Sequence, residues 1–497
     1  MEIVATFVPG NAEPAEELRR PPGGASMVEL RADLLGPDVD LTPLVAASPL
    51  PVIVTLRSSA EGGQGPDDPQ ARRRFFLRAV ACDAALFDLE VARDADLVGT
   101  VVPAERTVLS AHFGGGIPAD LETRAARVLA AKTRVAKIVP EARNLDDLLS
   151  VLRLAQALER GAPASRRAVV FATGEAGRAS RLLSPLLGAP LAFAAWDETR
   201  RAAPGQYTAE ELVALIGHLH GRPRRVCAVL GKPVGGSLSP RMHAAAYRAV
   251  GLPDAFVPIE VSDESELDRL LQPSGETCLD RIGLSVGGYA VTMPWKEAAA
   301  KHCSLLAPRA ERAGVANTVL PRVGKLLGDC TDIDGITRVL AEEGVELAGR
   351  RGLVLGSGGA ARAAAVALTL AGAAVTIVAR DRDRATRAAR AVAANVGEMG
   401  ASADAAAVVN ATPAGADGAA TPWLEALRLP AGAVAVDLPY GERLTFLAQL
   451  AQARGWRYVS GREVLLFQGV AQFAAMTGVA PPVRAMATAL GLEEAQS

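Results

Sequence analysis

The sequence predicts an α/β protein in two parts. The N-terminal part is predicted to be a (β/α)8 TIM barrel, and the C-terminal part a two-lobed α/β unit whose second lobe has a Rossmann fold. Residues 1–218 alternate β-rich runs with helical stretches, and there are eight such runs, as a TIM barrel requires. The alternation starts afresh after residue 225, and a strand, a glycine-rich turn and a helix follow one another from Arg351.

Length, composition and charge limit the functional class. A chain of 497 residues is too long for a single core, and 49% of it is apolar. The formal net charge of −2 gives no basic footprint for nucleic acid. The five cysteines show no paired spacing, so we expect a reduced, cytoplasmic chain with no metal site.

The sequence predicts no membrane segment. The N-terminus lacks the basic stretch and long apolar run of a secretion signal. The run from Ala363 to Ala379 carries no charge, but it is shorter than a usual membrane span and is interrupted by Gly372. We therefore expect a buried helix followed by a buried strand there.

The barrel strands are read from runs of β-branched and aromatic residues, in chain order. Most of the connections between them are long enough for a helix, although the one after Val91 is doubtful. The predicted strands are Ile3–Val8, Met27–Asp33, Val52–Arg57, Leu86–Val91, Thr107–Phe113, Val135–Val139, Ala168–Thr173 and Leu191–Trp196.

The segment after the barrel is rich in Arg, His, Gly and Pro and reads as a linker. The last helical stretch is predicted to fold back onto the lobe that follows this linker. The predicted domains are the barrel at 1–218, the linker at 219–224, a substrate-binding lobe at 225–332 completed by 463–490, and a Rossmann lobe at 333–462.

Charged side chains alternate along two predicted barrel strands. Glu29, Arg31 and Asp33 occupy every second position of one strand, so they share a face. Asp88 and Glu90 repeat the pattern on another. In an isolated sheet this would be a solvated face, but helices cover the outside of a barrel. The charged face is therefore expected to point into the barrel mouth.

Lys137 and His112 are the candidate reacting groups of the barrel. A neutral lysine amine attacks a ketone to give an iminium ion, which acidifies the adjacent C–H bond. A histidine can remove that proton and then protonate a departing hydroxyl. The alternatives are a lysine that extends from a strand end to solvent and a histidine with a structural role.

Six ordered motifs in residues 1–218 resemble type I 3-dehydroquinate dehydratase. They are Val28–Asp33, Thr55–Gly63, Ser110–His112, Ala136–Ile138, Ser180–Leu182 and Ala203–Gln206. The resemblance implies that Lys137 forms a Schiff base and that His112, assisted by Glu61, is the acid and base. It also implies the residues that hold the substrate carboxylate and hydroxyls, namely Glu29, Arg31, Arg57, Arg181 and Gln206. Two features depart from the family: Ala202 stands where serine is usual, and Phe113–Pro118 is unusually rich in glycine.

The C-terminal part carries a candidate dinucleotide site. Gly356–Ala361 follows a predicted strand and opens a helix, where glycines permit close approach of a pyrophosphate. The next strand ends at Arg380, and Arg384 follows four residues later. Both arginines suit a 2′-phosphate, which favours NADP over NAD, although Asp381 is a contrary sign. The alternative is an ordinary charged surface turn.

Lys296 and Asp332 are the candidate proton-transfer pair of the second part. Reduction of a carbonyl by hydride needs a proton at its oxygen, and a nearby carboxylate orients a lysine. Taken alone, either charge would be read as a surface residue. Ser237 and Ser239 precede a predicted helix, and the alternative role for Ser239 is an N-cap.

The second part resembles shikimate dehydrogenase from Arg225 to Leu490. The matching segments are Gly231–Pro240, Val291–Lys296, Gly314–Thr318, Gly328–Asp332, Gly356–Ala361, Asn410–Thr412, Asp437–Tyr440 and Leu465–Gln468. By this resemblance Lys296 and Asp332 are catalytic. The residues implied to contact shikimate are Ser237, Ser239, Thr292, Asn317, Tyr440 and Gln468. Those implied to line the NADP site are Gly356, Ser357, Gly358, Gly359, Ala360, Arg380, Arg384 and Thr412. Departures from the family occur at Ala290, Trp295 and Cys330.

Together the two resemblances imply a bifunctional enzyme of aromatic amino acid biosynthesis. The barrel would dehydrate 3-dehydroquinate, and the second part would reduce 3-dehydroshikimate to shikimate with NADPH. One alternative is quinate catabolism with an NAD-linked dehydrogenase. Another is a sensor that binds pathway metabolites without turnover, which the presence of all the candidate catalytic residues disfavours.

Overall fold

The structure is a computed structural model that describes residues 1–36, 39–161, 167–398, 402, 404–441 and 443–492. The chain divides into two compact units. The first comprises Met1–Arg224 together with Val257–Ser262 and Arg281–Leu284, and the second takes the rest. Across the described ranges, no helix combines the length and the apolar character that crossing a membrane would need.

The first unit contains eight parallel strands, in agreement with the predicted barrel. They are β1 Glu2–Phe7, β2 Met27–Arg31, β3 Val52–Thr55, β4 Leu86–Glu90, β5 Thr107–Phe113, β6 Val135–Pro140, β7 Ala168–Val170 and β8 Leu191–Ala195. They pair in the order β7-β6-β5-β4-β3-β2-β1-β8, so the barrel is nearly closed, with β7 and β8 at the two ends of the order. Each predicted strand lies where the sequence placed it, within three residues at either end.

Helices connect most of these strands. They are α1 Pro14–Leu18, α2 Thr42–Ala47, α3 Pro69–Ala79, α4 Leu121–Ala130, α5 Leu145–Arg160, α6 Arg178–Leu186 and α7 Ala209–Ile216. Local sequence fixes several of their starts: Asn144 caps α5, and Thr208 and Glu211 form a capping box at α7. Between β4 and β5, where a helix was doubtful, the chain makes two 3₁₀ turns at Ala95–Leu97 and Ala104–Arg106.

The inward faces of the barrel strands change from apolar to polar along the strand direction. Val4, Met27, Ile53, Leu86 and Val135 belong to one buried apolar cluster. Because alternate residues of a strand share a face, the residue two positions further along each of these strands also points inward. At that position the side chain is polar. Those polar residues are Thr6, Glu29, Thr55, Asp88 and Lys137, and all five are buried. An apolar floor therefore lies beneath a ring of buried polar groups.

A mixed six-stranded sheet follows the barrel in the chain, and it belongs to the second unit except for Val257–Glu260, which is grouped with the first. Its strands are β9 Val226–Gly231, β10 Ala255–Glu260, β11 Val286–Val291, β12 Leu305–Leu306, β13 Thr318–Arg322 and β14 Lys325–Asp329, in the order β10-β9-β11-β13-β14-β12. Its helices are α8 Ser239–Ala249, α9 Glu264–Leu270, α10 Lys296–His302, α11 Pro308–Ala313 and α12 Thr331–Glu342.

A parallel six-stranded sheet follows in the same unit. Its strands are β15 Arg351–Leu355, β16 Ala374–Val378, β17 Asn395–Val396, β18 Ala405–Asn410, β19 Val434–Asp437 and β20 Arg457–Val459, in the order β17-β16-β15-β18-β19-β20. Its helices are α13 Gly359–Leu370, α14 Arg382–Ala391, α15 Pro422–Glu425 and α16 Phe446–Arg454. The strand order reverses direction at β15, and a doubly wound fold binds its ligand at that crevice.

Two C-terminal helices, α17 Gly461–Thr477 and α18 Val483–Ala489, return to the mixed sheet and its helices. α17 packs along α12 and contacts β11 and β13, while α18 packs on α8. Glycine permits the close approach of α17 and α12, because a Cβ on Gly335 would lie 2.6 Å from the Val464 carbonyl oxygen. The uncharged run at 363–379 is the body of α13 followed by β16, as predicted.

Candidate active sites

A cavity of about 320 Å³ opens at the carboxyl ends of the barrel strands. All eight barrel residues to which the resemblance assigned a catalytic or substrate-binding role line it, together with Ala202 and part of the glycine-rich loop after β5. Those eight are Glu29, Arg31, Arg57, Glu61, His112, Lys137, Arg181 and Gln206.

Lys137 lies at the bottom of this cavity and is 4% exposed. Its Nζ is 3.1 Å from Asp88 Oδ2 and 3.4 Å from Glu29 Oε1, and it lies 3.8 Å from the ring centroid of Phe193. Burial alone would raise the pKa of the Glu29 carboxyl, but the charges of Lys137 and Arg31 and the hydrogen bond from Thr6 together outweigh burial, and the pKa is lowered. The lysine is thus held by fixed negative charge on one side and an aromatic face on the other.

Arg57 joins two acidic side chains and a serine beside Lys137. Its guanidinium donates to Asp88 at 2.9 Å, to Glu90 at 3.0 Å and to Ser110 Oγ at 3.0 Å. Burial would lower the pKa of Arg57, but the surrounding carboxylates raise it. Asp88, Glu90 and Ser110 were not among the predicted site residues. The alternation of Asp88 and Glu90 was the signal that pointed to them.

His112 and Glu61 form a hydrogen-bonded pair at the rim of the cavity. Glu61 Oε2 accepts the backbone N–H of His112 at 3.0 Å and lies 3.1 Å from His112 Nδ1. Burial, and then the nearby cations beginning with Arg57, hold the pKa of His112 well below its usual value. Burial and the charge of Glu90 raise the pKa of Glu61 to about 7. His112 is therefore neutral near pH 7, where Glu61 titrates.

Arg181 offers a buried cation to the cavity. Its guanidinium stacks 4.6 Å from the Phe171 ring centroid, and burial lowers its pKa to about 10. In the described structure its Nε is buried without a hydrogen-bond partner. Gln206, which is 3% exposed, accepts the Ala202 N–H at 3.0 Å. A buried cation with unused donors is suited to a carboxylate ligand.

A second cavity, of about 360 Å³, lies in the second unit where the two sheets and α17 meet. It is lined by the predicted catalytic pair, all six predicted substrate contacts and two of the predicted cofactor residues. These are Lys296, Asp332, Ser237, Ser239, Thr292, Asn317, Tyr440, Gln468, Ala360 and Thr412.

Lys296 and Asp332 are directly paired in this cavity. Lys296 is the first residue of α10 and Asp332 lies in the first turn of α12, and their Nζ and Oδ2 atoms are 2.5 Å apart. Burial would lower the pKa of Lys296, but the Asp332 charge and hydrogen bond outweigh it and raise the pKa. The lysine is therefore a protonated, oriented donor at neutral pH.

Asn317 anchors a network of buried polar groups on one wall. Its Nδ2 donates to Gln468 Oε1 at 2.9 Å, and its Oδ1 accepts the Thr331 N–H at 2.8 Å. Gln472 donates to Thr318 Oγ1 at 2.9 Å and lies 3.2 Å from buried His243. Gln472 also lines the cavity and was missed from the sequence, because a second polar residue on a buried helix face resembles an ordinary core position.

The serines and tyrosine form the opposite wall. α8 begins at Ser239, and the N-cap position is Leu238 with no side-chain capping bond, so Ser239 does not act as the cap. Burial raises the pKa of the Tyr440 hydroxyl, partly offset by hydrogen bonds that include one with Ser237. A Cβ on Gly231 would lie 2.3 Å from Thr292 Cγ2, so this glycine allows Thr292 to reach the wall.

The glycine-rich turn after β15 fits a dinucleotide. Gly356 has φ of +118°, which strongly favours glycine, and Gly358 is the N-cap of α13. A Cβ built on Gly358 meets no atom within 4 Å, so space is open before the helix N-terminus. Of the turn residues, Ala360 alone lines the second cavity. Arg380 and Arg384 also lie outside its lining.

Asp381 is engaged in the protein itself. Its carboxylate caps α14 by accepting the Arg384 N–H at 2.9 Å. This contact engages one carboxylate oxygen of Asp381 and orients the side chain toward the helix start. Arg380 and Arg384 lie at the surface on either side of it.

Comparisons with known proteins match each part of the chain separately. Residues 4–223 match the type I 3-dehydroquinase family model, and residues 229–319 match that of the shikimate dehydrogenase substrate-binding domain. The bifunctional 3-dehydroquinate dehydratase/shikimate dehydrogenase, chloroplastic, of Arabidopsis thaliana is 29% identical over 92% of this chain and 79% of its own length.

Two further relatives match the second part. The shikimate dehydrogenase (NADP(+)) of Symbiobacterium thermophilum is 38% identical over 54% of this chain and 94% of its own length. The solved shikimate 5-dehydrogenase of Thermus thermophilus, in complex with NADP(H) and shikimate, is 34% identical over 54% of this chain and 98% of its own, with a TM-score of 0.48. The chain therefore belongs to the shikimate dehydrogenase family in its C-terminal part, and its N-terminal part matches the type I 3-dehydroquinase family model.

Proposed function

We propose that the two cavities carry out consecutive steps. The barrel dehydrates 3-dehydroquinate to 3-dehydroshikimate through a Schiff base on Lys137, and the second unit reduces that product to shikimate with NADPH. The observation that carries the proposal is that each cavity holds a lysine, paired with a carboxylate, among the groups its chemistry needs. The relatives named above, which are a dehydratase fused to a dehydrogenase and an NADP-linked dehydrogenase, support it.

In the barrel, the Lys137 amine adds to the substrate ketone and water leaves, giving an iminium ion. His112, neutral near pH 7, removes a proton from the adjacent carbon and returns it to the hydroxyl that departs as water. Hydrolysis of the iminium then frees Lys137 and the product, so the net change is loss of one water. The unpaired donor of Arg181 makes it the residue that would hold the substrate carboxylate.

The Glu61 pKa predicts a specific pH dependence of dehydration. As the pH rises through about 7, Glu61 ionises and can accept the Nδ1–H of His112, which strengthens the imidazole as a base. We expect kcat/KM to rise with an apparent pKa near 7, and Glu61→Gln to remove this rise. Initial rates of enone formation between pH 5 and 9 measure it. An unchanged profile in Glu61→Gln would assign the titration to another group.

The same pKa predicts the stability of the barrel. A carboxyl with a raised pKa in the folded state binds its proton more tightly there than in the unfolded chain. The stability that this tighter binding contributes is lost as the pH rises from about 4.5 to 7, so the free energy of unfolding falls over that range. Glu61→Gln is therefore expected to match the wild type in Tm at pH 5 and to exceed it at pH 8. A Tm difference that is constant with pH would contradict this.

In the second unit, Lys296 donates a proton to the carbonyl oxygen of 3-dehydroshikimate while Asp332 keeps its ammonium oriented. When bound at the Gly356–Ala360 turn, NADPH supplies the hydride to the carbonyl carbon. Ser237, Ser239 and Tyr440 on one wall would bind the hydroxyl and carboxylate groups of the substrate, and Asn317 and Gln468 those on the other.

The arginines after β16 predict the choice of cofactor. Removing one hydrogen-bonding cation from a phosphate costs about 1.5–3 kcal/mol, or roughly 10- to 100-fold in affinity. Arg380→Ala is therefore expected to raise the KM for NADPH by that factor and to change the KM for NADH by less than about twofold. Parallel saturation curves with the two cofactors measure it. An equal loss with both would place Arg380 away from the 2′-phosphate.

A two-stage assay tests the whole proposal. 3-Dehydroquinate alone should give the enone absorbance of 3-dehydroshikimate. When NADPH is added afterwards, the enone absorbance and the absorbance of NADPH should both fall. Enone formation without a later fall would refute the proposed reduction. A fall seen only with supplied 3-dehydroshikimate would refute the proposed dehydration. Faster turnover of quinate with NAD than of shikimate with NADP would favour the catabolic alternative.

A further inference from the structure

Helix α13, which follows the glycine-rich turn of the dinucleotide site, also contacts the lysine proposed to donate the proton. A Cβ built on Gly359, the first residue of α13, would lie 3.0 Å from Lys296 Cβ and 3.4 Å from its Cδ. Contacts this short force the neighbour to shift by a few tenths of an ångström. The adjacent Gly358 faces open space instead. The glycine at 359 therefore meets a packing requirement set by the Lys296 side chain.

An ion pair one turn further along α13 holds the next residue of α10. Arg362 Nη2 lies 3.0 Å from Glu297 Oε2, and the two side chains are 17% and 42% exposed. The guanidinium lies next to Gly314, the glycine that ends α11. A Cβ on Gly314 would lie 3.5 Å from Arg362 Nη1. Such a pair adds little stability, but its planar guanidinium fixes the direction of the contact.

The backbone of Lys296 is tied to the same region. Its carbonyl accepts the N–H of Ala316 at 2.9 Å, and neighbouring Val315 is buried in one apolar cluster with Ala361 of α13. Val315 Cγ1 would also be 3.4 Å from a Cβ on Gly359. The start of α13, residues 315–316 and the start of α10 therefore form one contiguous packed group.

We infer that Arg362 is a positioning residue for proton transfer: by holding Glu297 it fixes the start of α10 and hence the direction of the Lys296 ammonium. The inference rests on the proposed reduction. Proton transfer demands close geometry, and misplacement of a reacting group by about 1 Å can cost 10²-fold in rate. The contact also runs between the cofactor helix and the proton donor, so the two reacting partners are placed by one structural element.

The test is Arg362→Met, which keeps the apolar stem and removes the charge. We expect kcat for 3-dehydroshikimate reduction to fall by about tenfold or more, while the Kd for NADPH measured by fluorescence stays within about twofold. The solvent isotope effect on kcat should increase, because proton transfer becomes slower. Arg362→Lys should recover part of the rate. The matched control is Arg351→Met, which removes an arginine paired with Asp404 at the start of β15, and it should leave kcat, the Kd for NADPH and the isotope effect unchanged.

Glu297→Gln probes the same pair from its more exposed end and covers the case in which Arg362→Met does not fold. It should lower kcat in the same direction, and the double variant should be no worse than Arg362→Met alone. A kcat within about twofold of wild type in Glu297→Gln, or losses confined to NADPH affinity, would overturn the inference. An inactive wild-type dehydrogenase would instead overturn the proposed function.

Discussion

Lys137→Met is expected to abolish dehydration of 3-dehydroquinate, with a loss of at least about a thousandfold in kcat. The amine is the nucleophile of the proposed mechanism, and the described part of the cavity offers no second lysine to replace it. Methionine fills similar apolar volume above Phe193 and cannot form an iminium ion. The remaining groups would act on an unactivated ketone, whose neighbouring C–H bond is far less acidic.

Borohydride gives a direct readout of the same step. Reduction in the presence of 3-dehydroquinate should trap the wild-type iminium as a stable secondary amine, visible as an added mass on the peptide that contains Lys137. The Lys137→Met protein should gain no such mass. Removing the lysine also leaves Glu29 and Asp88 without their cation, so Tm must be measured alongside the rate.

The dehydrogenase in the same molecule provides the internal control. Reduction of supplied 3-dehydroshikimate uses residues of the second unit, so Lys137→Met should retain it within about twofold. Full dehydratase activity in this variant, or a trapped adduct on another lysine, would refute the Schiff-base assignment. Loss of both activities would indicate a folding defect, in which case Lys137→Arg, which keeps the charge beside Asp88, replaces it as the test.

The order of elements was accessible from the sequence because local patterns determine it. Strands β1 to β8 follow runs of β-branched and aromatic residues, and caps such as Asn144 mark helix starts. The polar ring of the barrel could likewise be foreseen, since alternation placed Glu29 and Asp88 on inward faces. Their charge type and strand position were sufficient for that prediction.

Contacts between distant parts of the chain could not be foreseen in the same way. Gln472 belongs to the second cavity because α17 approaches α12 closely at Gly335. The contact of Gly359 with Lys296 joins two motifs that are far apart in the sequence, and each motif had a sufficient explanation without the other.

Lys296→Met is expected to lower kcat for 3-dehydroshikimate reduction by about 10² to 10⁴-fold, the range typical of removing a general acid. Dehydration in the barrel should continue, so the enone formed from 3-dehydroquinate would accumulate even in the presence of NADPH. The two absorbances recorded together measure this outcome. A variant that still consumes NADPH at the wild-type rate would show that another group delivers the proton.

Asp332→Asn separates the charge of the pair from the presence of the lysine. Burial lowers the pKa of Lys296, and in the wild type the charge and the hydrogen bond of Asp332 are the largest of the interactions that together outweigh burial. Without that charge the pKa should fall, so the protonated donor is lost at lower pH and the alkaline decline of kcat for reduction should move to lower pH. Rates from pH 6 to 10 measure the shift. If the decline stayed in place while kcat dropped uniformly, Asp332 would act on the substrate and not through the ionisation of Lys296.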